Sequence, residues 1–170
     1  RLGEGMARRP HALAYGETIE LGDTTVWLAP AGHVLGSAQV VIEHRGCRAV
    51  YSGDYKRQPD PTCAPFTPVA CDLFITEATF GLPVFRHPPP EAEIARLLHS
   101  VALFPERCHV VGAYALGKAQ RVIALLRAAG WQRPVYLHGA LLAMCGLYAR
   151  HGVELGELRP ATGTGDDLAG

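Results

Sequence analysis

Three side chains in the first half of the chain are of the types that hold metal ions or move protons, and each follows a run that reads as a β-strand. His33 lies in AGHVLGSA (31–38), Asp54 in YSGDYKR (51–57) and Glu77 in ITEATFG (75–81). A neutral imidazole is a good zinc ligand. A single carboxylate can bridge two cations, each oxygen taking one. A glutamate beyond a strand can orient a histidine through its ring N–H. Singly, each residue has a commoner use: a loop histidine in an ordinary hydrogen bond, a turn aspartate closing on its own backbone, a solvated glutamate. Together they are more specific, because all three occupy the same structural place. Strands are rigid, and the loops after them can converge on one point.

A second candidate is VVGAYALGKAQ (110–120), where Gly112, Gly117 and Lys118 fit the GxxxxGK spacing of a phosphate loop. Ala119 stands where that motif needs Ser or Thr to hold Mg²⁺, and no second Mg²⁺ acid follows, so a nucleotide-hydrolysing loop is disfavoured. A milder anion site remains: a helix start with Lys118, to which Gln120 and Arg121 add phosphate contacts. The plain alternative is a strand–turn–helix carrying a solvated lysine. Lys56 and Arg57 follow Asp54 closely and read as a phosphate clamp or as a solvated pair. Tyr55 and Phe80 suit core packing better than base stacking.

The elements that must position these groups follow from pattern. Residues 17–21 and 24–29 read as a hairpin turning at Gly22-Asp23, and 39–43 and 48–51 as a second turning near Arg45-Gly46. Residues 58–70 hold four prolines and read as an ordered loop, followed by a short strand over 72–76. After Gly81 the character changes. A helix is expected from Pro90, a strand at 109–111, a helix over 116–129, a strand at 134–137 and a helix over 140–150. That alternation argues for βα units on a largely parallel sheet. The composition shifts once, near residue 82, and residues 1–16, rich in Gly and Arg, are expected to be loose.

The 170 residues are 48% hydrophobic and 19% charged, which supports a folded core. Zero formal net charge removes any global nucleic-acid footprint, so such contacts must be local. Five cysteines without a CxxC pair read as reduced, mostly buried thiols of a cytoplasmic protein rather than a thiolate zinc site. No apolar run is long enough to span a membrane. The start lacks both an initiator Met and the apolar core of a signal peptide, and TGTGDDLAG closes without a packed element, so both ends are expected to be cuts in a longer protein.

In this order, AGHVLGSA, SGDYKR and ITEATFG resemble the β-CASP nuclease branch of the metallo-β-lactamase fold, and the wording is most like its bacterial ligase-associated DNA exonucleases, also known as mRNA 3′-end processing-type exonucleases. The likeness extends through GAYALGKAQR and VYLHG. It implies an α/β architecture in two parts: a partial αββα metallo-β-lactamase sandwich over 1–82 and a partial β-CASP domain with a parallel sheet over 83–170, with a substrate cleft between them. It implies that His33 is a metal ligand, Asp54 a bridging ligand, and Glu77 the acid that supports a catalytic histidine. The family's cofactor is a pair of zinc ions, and its reaction is phosphodiester hydrolysis. By resemblance, an exonuclease in DNA repair is favoured over an RNA-processing nuclease, with a functional link to a DNA ligase. The family's HxHxDH motif is not in this sequence and is expected upstream of Arg1; later β-CASP histidines are expected beyond Gly170, and neither His138 nor His151 is assigned to them. The chain alone is therefore expected to be inactive. Two other classes stay open: a non-catalytic nucleic-acid-binding module, and a thioester or lactam hydrolase. The α/β region after Glu77 speaks against the latter.

Overall fold

A computed structural model describes residues 11–162. Most of the stretch expected to be loose, and nearly all of the closing segment, lie outside the described residues.

The first half builds a five-stranded sheet in sequential order from β1 (Thr18–Leu21), β2 (Thr24–Pro30), β3 (Ala38–His44), β4 (Cys47–Tyr51) and β5 (Leu73–Ile75). The β1–β2 hairpin closes at Gly22-Asp23, with Leu21 opposite Thr24. The β3–β4 hairpin closes at Arg45-Gly46, both at positive φ (48° and 80°), the backbone sense of a type I′ hairpin turn. Both turns are where the sequence places them. Trp27, Val41, Val50 and Phe74 lie in register across β2 to β5. Val41 and Val50 are fully buried and form a small core with Ala29, against which Trp27, Val69 and Cys71 pack.

The second half contains α1 (Pro90–Leu103), α2 (Lys118–Ala128), β6 (Val135–Leu137), α3 (Gly139–Arg150) and β7 (Leu158–Pro160). Pro90 opens α1, where its missing N–H costs nothing, and Glu91 and Glu93 complement the first turn. His138 caps α3, its ring Nδ1 accepting from the Ala140 N–H at 3.3 Å. β6 and β7 pair in parallel across the α3 crossover, the arrangement that alternating strands and helices predict. Ile123, Ala124, Leu137, Cys145, Tyr148 and Leu155 form the core beneath them.

Three expectations need correction. The strand expected at 109–111 is absent, and Val110 is 89% exposed. A strand persists only where a neighbour takes its N–H and C=O groups; among the described residues β6 pairs only with β7. The sequence reading also missed β7 itself. The cysteines are all free thiols, but only Cys145 is buried; Cys47 and Cys108 are exposed.

The two halves meet at the loop after β2. Leu35 packs against the second core, and its backbone N–H donates to the Tyr148 hydroxyl at 3.2 Å. Gly117, at φ 81°, lies so close to Val34 that a Cβ there would clash with its Cγ1.

Candidate functional site

Strand direction decides where the candidate side chains emerge. β2 and β3 are antiparallel, β3 and β4 are antiparallel, and β4 and β5 are parallel. The C-terminal ends of β2, β4 and β5 therefore share one edge of the sheet. His33 follows β2 by three residues, Asp54 follows β4 by three, and Glu77 follows β5 by two.

Two loops then interlock at that edge. In the first, Ser37 organises a tight turn: its Oγ accepts from the His33 and Val34 N–H groups at 3.0 and 3.1 Å, and its N–H donates to Val34 O at 2.9 Å. The second loop is fastened to the first by the Lys56 N–H, which donates to Ala31 O at 3.0 Å. Gly32 makes this approach possible. It sits at φ 71°, and a Cβ would lie 2.7 Å from Phe66 N and closer still to Lys56 O. On the other side, buried Ser52 donates its backbone N–H to Ile75 O at 2.9 Å, tying the exit of β4 to β5. The outcome is that His33 Nε2 lies 3.9 Å from Asp54 Oδ2, with side chains 41% and 78% exposed.

The remaining candidates divide. Glu77 is half-buried and accepts from the Thr79 N–H at 2.7 Å, which fixes its carboxylate in a local turn beyond β5. Arg57 and Lys118 are exposed, and Lys118 Nζ rests 4.6 Å from the centre of the Tyr114 ring. Gln120 is fully buried: its Oε1 accepts from the Gly117 N–H at 2.8 Å, and its Nε2 donates to Ala115 O at 2.9 Å and to Cys145 Sγ at 3.3 Å. The phosphate contact expected of Gln120 does not fit that place, because the side chain closes the turn before α2 instead. The start of α2 is also less open than expected. The N–H groups of Gly117, Lys118 and Ala119 already donate to Gln120 Oε1, Leu116 O and Tyr114 O. Tyr55 packs between Phe66 and Phe74, and Phe80 contacts Phe85 and His87 at the surface.

Lys56 and Arg121 meet a partner that sequence reasoning missed. Asp60, whose side chain is only 3% exposed, accepts from Lys56 Nζ through Oδ2, and Arg121 Nε lies 3.4 Å from the same oxygen. Its other oxygen accepts from Thr62 Oγ1 and N–H at 2.6 and 2.9 Å. Burial by itself would push the Asp60 carboxyl up; the Lys56 and Thr62 hydrogen bonds outweigh it and hold the group below its ordinary range. The signal for half of this was readable: an Asp between two prolines, two residues before Thr62, favours an Asx turn.

No model of a known protein family matches the sequence. Curated proteins do. Over 157 residues the chain is 34% identical to a probable DNA ligase of Opitutus terrae, spanning 86% of this chain and 15% of that protein. It is 34% identical over 147 residues to cleavage and polyadenylation specificity factor subunit 3 of Dictyostelium discoideum, spanning 79% of this chain and 18% of that one. It is 30% identical over 145 residues to endoribonuclease YSH1 of Saccharomyces cerevisiae, with spans of 77% and 18%. The chain is related to the β-CASP nucleases of the metallo-β-lactamase family. It covers less than a fifth of the length of those three relatives. Among solved structures, a protein of unknown function from Enterococcus faecalis V583 shares the fold, with a TM-score of 0.55 at 16% identity over 92% of this chain and 38% of that one.

Metal binding in this β-CASP relative can be tested against the donors present. Two ligands of one tetrahedral zinc, each at about 2.0 Å, lie about 3.3 Å apart. The 3.9 Å between His33 Nε2 and Asp54 Oδ2 is close to that, and both groups reach solvent. Among the described residues no group of three or more His, Cys, Asp or Glu is placed to hold a metal ion. The pair thus fits part of a ligand set.

Proposed function

We propose that this sequence is part of a zinc-dependent nuclease that hydrolyses phosphodiester bonds, and that His33 and Asp54 are two of its metal ligands. The observation that carries the reading is the meeting of His33 and Asp54 at the strand-end edge of the sheet. The β-CASP relatives support the reaction class. The remaining ligands would come from parts of a longer protein, so the 170-residue chain alone has too few to hold zinc tightly and is inactive. A metal held by His33 and Asp54 with further ligands would supply Lewis-acid stabilisation of charge on the scissile phosphate.

This chain's own residues then do the positioning. Ser37 and the Lys56 N–H hold the two loops so that the imidazole and carboxylate face one point. Glu77, held at the end of β5 by the Thr79 N–H, would orient a histidine supplied by a longer protein. Exposed Arg57 and Lys118 contact backbone phosphates. The substrate lies between residues 1–82 and 83–170, read as two partial domains. DNA processed by an exonuclease in repair is one reading, and the match to a probable DNA ligase supports a functional link to ligation. RNA processing is the second reading, favoured by the relatives named endoribonuclease.

The test is cleavage of end-labelled DNA and RNA by the full-length protein, with and without a chelator. Chelator-sensitive cleavage that is lost in Asp54→Ala is expected. Tight nucleic-acid binding with no cleavage by metal-loaded wild type would instead assign a binding module.

A further inference from the structure

We propose that Asp60 is a positioning residue that sets the register between the metal-site loops and the helical half, and so shapes the path of the substrate chain. The proposal rests on the nuclease reading above. Asp60 contacts neither His33 nor Asp54. It acts through two cations that come from different halves of the chain and meet at one oxygen.

Lys56 comes from the loop after β4. Its side chain ends on Asp60 Oδ2, and its backbone N–H donates to Ala31 O, two residues before His33. Arg121 comes from the first turn of α2, in the other half of the molecule, and its Nε approaches the same oxygen at 3.4 Å. That Nε is buried and has no hydrogen-bond partner of its own among the described residues. Its hold on Asp60 is therefore Coulombic and depends on the carboxylate charge. Thr62 fixes the other oxygen, so the carboxylate cannot swing to follow either cation. One carboxylate facing two cations leaves an excess positive charge at the junction of the halves, beside the site where a phosphodiester chain would lie. Apolar contacts at Val34 and Leu35 seat the halves together, but they are non-directional. The Leu35 N–H donating to the Tyr148 hydroxyl is a neutral link between the halves, and Asp60 with Arg121 is the charged one.

The experiment uses the full-length protein and three forms: wild type, Asp60→Asn, and Asp60→Asn with Arg121→Gln. Zinc content, thermal midpoint, kcat and KM on a labelled oligonucleotide are measured for each. Asp60→Asn is expected to lower the midpoint and raise KM about tenfold, with kcat within about threefold and zinc content unchanged. The double variant removes one of the two cations left without a carboxylate, so its midpoint recovers in part while its KM stays high. Recovery of KM together with the midpoint would overturn the proposal and leave Asp60 a purely structural group. So would a KM within twofold of wild type in folded Asp60→Asn. If wild type itself cleaves no nucleic acid, the nuclease reading fails and this proposal with it; cleavage by wild type with an unchanged KM in the variants overturns the Asp60 role alone. Should Asp60→Asn not fold, the same comparison is made with Arg121→Gln, for which a raised KM is expected and an unchanged KM overturns the proposal.

Discussion

Gly32→Ala and Gly36→Ala form a matched pair within one loop. Both glycines sit at positive φ, 71° and 77°. An alanine at either position adopts a left-handed backbone at a cost of about 1–2 kcal/mol. At Gly36 nothing lies within 4 Å of the added methyl, so that cost stands alone. At Gly32 the methyl meets two backbone atoms, Lys56 O and Phe66 N, which have no rotamer through which to yield. Forcing an extra methyl into a packed contact adds about 1–3 kcal/mol. Gly36→Ala should therefore lose about 1–2 kcal/mol and Gly32→Ala about 2–5 kcal/mol, sums of the same two terms. Urea unfolding followed by tryptophan fluorescence reads both. The methyl also pushes the His33 loop away from the Lys56 N–H, so Gly32→Ala should weaken zinc retention in the full-length protein while Gly36→Ala leaves it nearly intact. If the two variants agree in stability within about 0.5 kcal/mol, the margin expected of an ordinary surface change, the loops do not interlock as described.

Three further outcomes follow from named contacts. The depressed Asp60 carboxyl contributes stability that is present above its ordinary value of 3.8 and is lost as pH falls through the folded-state value, so urea midpoints should fall from about pH 5 downward, and less steeply in Asp60→Asn. Tyr148→Phe removes the acceptor for the Leu35 N–H and should cost about 1–3 kcal/mol in the same unfolding assay. Lys118→Ala should reduce the salt dependence of oligonucleotide binding by about one unit of log–log slope without loss of stability, whereas Gln120→Ala should destabilise the fold without changing that slope.

Local chemistry was legible in the sequence, and long-range partnership was not. Gly22 and Gly46 marked both hairpins because glycine takes the positive φ of a tight turn at no steric cost. Pro90 marked the start of α1 because its missing N–H costs nothing there. The edge shared by His33 and Asp54 was readable from strand ends, since alternating pairing returns every second strand to the same side of the sheet. The strand at 109–111 was misread because its apolar residues satisfy the local pattern without a neighbour to pair with. Lys56 and Arg121 were read as facing phosphate because residue type does not say which way a cation points; their shared carboxylate lies 61 positions before Arg121, and only the folded chain brings it there. Gln120 was misjudged in the same way, its amide serving a turn three residues upstream.

Zinc affinity of the full-length protein, measured for wild type, His33→Ala, Asp54→Ala and the double variant, bears most directly on whether this imidazole and carboxylate act on one ion. Each single substitution should weaken binding at least about tenfold, the scale of losing one ligand or its support. The double variant should be weaker than either by much less than the product of the two effects, as expected for groups that share a partner. Affinity unchanged in both single variants, or losses that multiply independently, would contradict the account.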